Sequence, residues 1–76
     1  MNAWWIYSYF DFEEAYYKTQ YNRCKEIGLY LLGQLRDPKS KELYRQLQQF
    51  EHDWMHPNTE GAKLLLEIKI WLMINQ

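Results

Sequence analysis

The chain has 76 residues, of which 47% are hydrophobic and 18% aromatic, with nine basic residues against ten acidic ones and a single cysteine. That length holds one core, Cys24 has no partner for an intrachain disulfide, and a net charge of −1 supplies no global field for recruiting nucleic acid or anionic lipid. Valine is absent and glycine is limited to three, a composition that favours helix over a β-sandwich.

The N-terminal "MNAWWIYSYFDFEE" lacks a basic start, an aliphatic core and a small-residue cleavage site. With one unpaired thiol, this leads to the expectation of a cytoplasmic protein. Within it, residues 1–10 form an aromatic-rich arm without polar–apolar alternation, read as an extended or short helical segment that packs by its rings. Asp11 and Glu14 then resemble a capping box, with Glu13 and Glu14 suited to a helix N-terminus.

The first helix is predicted over about residues 12–36. Tyr17, Tyr21, Cys24, Ile27, Gly28, Leu31 and Leu35 share one stripe, with polar residues behind. Cys24 and Gly28 are small and one turn apart, so another helix can approach closely there, which would compensate the roughly 1 kcal/mol that a mid-helix glycine costs. Phe12, Tyr16, Arg23 and Tyr30 form a second flank, the first sign of a further contact surface.

Asp37-Pro38 is a stop-and-start signal, aspartate as the cap and proline as the first helical residue. The second helix is predicted over about 38–55, with a stripe of Leu43, Leu47, Phe50 and Trp54, and Pro57 ends it. Asn58 or Thr59 caps the third helix, predicted over about 60–74. That helix is apolar on two sides. Leu64, Leu65, Ile68, Trp71 and Leu72 lie on one, and Leu66, Ile70, Met73 and Ile74 lie on the other, with Lys63, Glu67 and Lys69 between. The alternation in "LEIKIWL" also permits a strand. Its run "AKLLLEIKIWLMI" carries three charges and falls short of the roughly 20 residues needed to cross a bilayer, and the acidic run after Trp4, Trp5 and Tyr7 weakens attraction to a lipid surface, so no membrane role is expected. The expectation is an all-α, three-helix bundle with an N-terminal arm, dimeric because three helices cannot cover both faces of the last one; the alternative is that the arm folds back over its outer face and completes a monomer core.

Chemistry is sparse. His52 and His56 in "EHDWMHP" have the spacing of a helical zinc motif, but no third ligand follows. With Leu43, Leu47, Phe50 and Trp54 inward, both histidines project away from the core, so the segment reads as a helix end. Cys24 falls on the core stripe, where cysteine behaves as a small hydrophobe. No nucleophile elbow, glycine-rich phosphate loop or convergent carboxylate pair is present, so neither an enzyme nor a cofactor is expected.

Arg36, Lys39, Lys41 and Arg45 make a local basic patch diluted by Asp37 and Glu42, and a small dimeric nucleic-acid-associated regulator is the second reading. The first is protein recognition. Nine of the fourteen aromatic residues fall within the first twenty-one positions, and tyrosine and tryptophan dominate binding hot spots. The expected protein-binding residues are Trp4, Trp5, Tyr7, Phe12, Tyr16, Tyr30, Leu66, Ile70, Met73 and Ile74. The expected partner is a protein, including a second copy of the chain.

Overall fold

Ser8 begins the first helix, earlier than the capping box expected at Asp11. Its backbone is extended (φ −114°, ψ 172°) and its N–H donates to Asp11 Oδ2 at 2.7 Å, so aspartate fills the third-residue position usually held by glutamate. The computed structural model describes residues 6–50 and 60–76, and every regular element among them is helical. The first, α1, spans Tyr9–Tyr17.

The helix predicted over 12–36 is divided. After α1 the chain turns at Thr19, which adopts a left-handed backbone (φ 55°). Gln20 N–H donates to Ala15 O at 2.9 Å, and Thr19 N–H donates to Tyr16 O at 3.1 Å. This is the paired 6→1 and 5→2 bonding that closes a helix, built here without the usual glycine. A second helix, α2 (Tyr21–Gln34), then begins, so the described residues form four helices rather than the three expected.

Asp37 caps α3 (Pro38–Gln49) as expected, its Oδ2 accepting the Ser40 N–H at 3.0 Å. The helix ends before the predicted Met55. Phe50 is already extended (φ −83°, ψ 120°), and Lys25 Nζ reaches across from α2 to donate to its carbonyl at 2.6 Å. Trp54 and Pro57 lie outside the described residues. The last helix, α4, spans Glu60–Ile74 and ends where predicted, while its expected caps Asn58 and Thr59 lie outside the described residues.

Both α2 and α4 pack against each of the other helices, while α1 and α3 flank them without meeting backbone to backbone. Phe12, Ile27, Leu32, Leu43, Leu47, Leu65 and Ile68 are the largest fully buried side chains. Phe12, expected on a contact surface, is therefore core, because the turn at Thr19 folds α1 back onto α2. The close approach expected at Gly28 is present. A methyl group there would lie 3.0 Å from Leu47 Cδ2 and 3.1 Å from Phe12 Cε2, so α1 and α3 both press on this one residue.

Candidate protein-binding surface

Helix α4 buries Leu64, Leu65, Ile68 and Leu72 and leaves its outer face open. Leu66 is 46% exposed, Ile70 44%, Met73 45% and Ile74 67%. These residues recur at helical spacing, so they form one stripe rather than scattered apolar exposures. The two-sided character read from the sequence thus divides into one buried and one exposed face.

The flank between those faces is held by a lysine. Lys69 is 9% exposed, and its ammonium lies 5.2 Å from the Tyr17 ring centre and 5.9 Å from that of Tyr16. Hydrogen bonding to the Tyr17 hydroxyl, ahead of the Tyr9 contributions, keeps Lys69 protonated above the ordinary lysine range despite its burial. Burial is also the first cause of a raised Tyr16 pKa. Tyr16, half-buried, is thus part of the α1–α4 contact.

A groove of about 500 Å³ opens where the start of α1 meets the ends of α2 and α4. Tyr7, Tyr9, Phe10, Leu31, Leu35 and Leu72 supply its apolar walls, Gln34, Asn75 and Gln76 bring amides, and among the described residues no charged side chain lines it. The last turn of α4 serves both features, presenting Met73 and Ile74 outward and Leu72 and Asn75 to the groove. Phe10, 66% exposed, stands at the groove with its ring edge-on to Tyr9. It was not among the expected residues, because its position depends on a reversal at Thr19 that no glycine or proline marks.

Tyr7 and Tyr30 fasten the segment ahead of α1 to α2. Their rings meet edge to face at 5.7 Å, the Tyr7 hydroxyl donates to Glu26 Oε2 at 3.1 Å, and the Tyr30 hydroxyl accepts the Ile6 N–H at 3.0 Å. The Arg23 guanidinium lies over the Tyr7 ring at 5.6 Å. Both tyrosines are half-buried, and Tyr7 still contributes to the groove wall. Trp4 and Trp5 lie outside the described residues.

The four cations expected as a basic patch differ in their partners. Lys39 Nζ pairs with Glu67 Oε2 at 2.6 Å, and Arg45 pairs with Glu42 and donates to Gln49 Oε1 at 3.4 Å. Arg36 and Lys41 instead line a separate groove beside Tyr44. His52 and His56 are outside the described residues, and among the described residues no group of three or more His, Cys, Asp or Glu side chains is placed to hold a metal ion. Cys24 is fully buried, and that burial pushes its thiol up to about 12, far from a reactive thiolate at neutral pH. Among the described residues, no helix is long and apolar enough to cross a membrane.

Comparison of the chain with protein-family models, curated proteins and solved structures finds no match.

Proposed function

We propose that this chain is a non-enzymatic protein-binding module, a small regulator, adaptor or inhibitor that acts by covering part of a partner's surface. The observation that carries the reading is the bare outer face of α4, with four large apolar side chains each more than two-fifths exposed. Leaving such side chains in water forgoes about 25 cal/mol for each Å² that burial would remove. The stripe alone is smaller than the roughly 800 Å² each partner contributes to a standard interface. The adjoining groove and Phe10 extend it through the last turn of α4. Apolar side chains of the partner would enter the groove, and the amides of Gln34, Asn75 and Gln76 would bond its backbone. Self-association through α4 belongs to the same reading.

The test is Ile70→Asp, which places a charge on the exposed stripe and leaves the buried face of α4 intact. Wild-type protein should elute as a dimer by light scattering, and the variant as a monomer with an unchanged melting temperature. If wild type is monomeric at high micromolar concentration, self-association fails. Capture from the native host then decides the rest, because a partner held equally by wild type and Ile70→Asp would show that this face is not the binding surface.

A further inference from the structure

Leu35 lies between two grooves. On one side is the apolar groove described above; on the other, Leu32, Gly33, Leu35 and Arg36 of the α2 end meet Lys41 and Tyr44 of α3 around a space of about 370 Å³. This second groove differs in charge. Of the four cations near the α2–α3 turn, Lys39 and Arg45 are paired with Glu67 and Glu42, whereas Arg36 and Lys41 form no ion pair among the described residues. The two unpaired cations are the two that line the groove.

Gly33 supplies an independent observation. It has no positive φ, and a methyl group there would meet only Tyr44 Cε2, at an ordinary 3.6 Å. Neither backbone conformation nor packing demands glycine, in contrast to Gly28. Glycine is still the poorest ordinary helix former, at up to about 1 kcal/mol against alanine in a helix interior and less here in the last turn of α2. What it leaves is open space against the Tyr44 ring, along the lining of the groove.

We propose that this groove binds a peptide segment of a partner protein in which an acidic side chain neighbours an apolar or aromatic one. The carboxylate would sit between Arg36 and Lys41, where a guanidinium can give two parallel hydrogen bonds. The apolar neighbour would lie over Leu32, Leu35 and Tyr44 in the space that Gly33 leaves. The proposal rests on the protein-binding reading and gives it a charge preference. A peptide fits better than a nucleic acid because affinity for nucleic acid grows with the number of phosphates neutralised, and only two cations are available here beside Asp37 and Glu42.

The experiment selects peptides from a phage-displayed random library on immobilised wild-type protein. Their affinities are then measured by fluorescence anisotropy for wild type, Arg36→Glu/Lys41→Glu, Gly33→Leu and Ile70→Asp, with thermal melts as the folding control. Selected peptides should place Asp or Glu within two positions of Leu, Phe, Tyr or Trp. The charge reversal should weaken them at least about tenfold, the loss expected for a charged hydrogen bond. Gly33→Leu should weaken them comparably by filling the groove with no change of charge, while Ile70→Asp separates out any peptide held by the α4 face instead.

Peptides without an acidic preference, or with affinity unchanged by both groove variants, would overturn the proposal. If such peptides lose affinity for Ile70→Asp instead, the α4 reading stands and only this groove falls. Failure to select any peptide would overturn it too, and salt-sensitive binding of a single-stranded oligonucleotide that Arg36→Glu/Lys41→Glu abolishes would assign the cations to phosphate.

Discussion

Ser40 ties three parts of the molecule together through one hydroxyl. Its Oγ accepts the Trp71 Nε1–H at 2.7 Å and donates to Asp37 Oδ1 at 2.7 Å, so α4, α3 and the turn before α3 meet at one fully buried atom. Read from the sequence, Ser40 is only a polar residue in the first turn of a helix, and Trp71 is only part of an apolar stripe. Their meeting across thirty-one positions has no local signal, because it depends on where α4 lands. Ser40→Ala should cost about 1–3 kcal/mol, since the Trp71 N–H loses its acceptor in a partly buried site. Urea denaturation of the single variants and of Ser40→Ala/Trp71→Phe checks this, because removing the orphaned donor should restore part of the loss. Additive losses would show that the hydroxyl acts through Asp37 alone.

Among the elements, the reversal between α1 and α2 is where sequence and structure part. The stripe through Cys24, Ile27, Gly28 and Leu31 was legible, as were the Asp37-Pro38 boundary and the C-terminal limit of α4, because each follows from helical periodicity or a capping residue. The turn was not legible because Thr19 occupies a left-handed position where glycine is the usual residue. A β-branched side chain is disfavoured there, and the Thr19 hydroxyl bond to Lys18 O at 2.6 Å is a local compensation. Thr19→Gly should therefore raise stability by up to about 1 kcal/mol, the relief of a left-handed L-residue less the added entropy of the unfolded glycine. Thermal denaturation checks it. A lower melting temperature would mean that the hydroxyl bond outweighs the backbone relief. The candidate surface divides in the same way: the exposed stripe of α4 follows from periodicity, whereas the groove at Phe10 exists only because the chain turns at Thr19.

For the whole molecule, the ionisable groups drawn into the helix contacts set a pH profile that is steep on one side. Cys24 has an ordinary value of 9.0 and is held at about 12 by burial, so on raising the pH the unfolded chain loses this proton before the folded one. The stability linked to it is complete below about pH 9 and is lost as the pH climbs towards 12. Tyr16, raised first by burial, acts in the same sense above its ordinary 10.0. Lys69 joins from the opposite charge type. Its pKa is raised first by the Tyr17 hydroxyl, so the favourable charged form is present below 10.5 and lost as the pH passes through the folded value. On the acid side, Asp37 is lowered first by the Ser40 hydroxyl, and its contribution disappears as the pH falls through and below 3.8. Urea midpoints should accordingly be nearly level between about pH 5 and pH 8 and fall continuously above about pH 9. Cys24→Ala should be less stable than wild type at neutral pH, because it removes a sulfur from a filled site, yet lose less stability between about pH 9 and pH 11. Parallel alkaline limbs for the two proteins would show that the thiol ionises freely in the folded state. Native protein should then also react with a thiol reagent as fast as the unfolded chain, whereas a buried Cys24 reacts only through opening of the packing between α1 and α2.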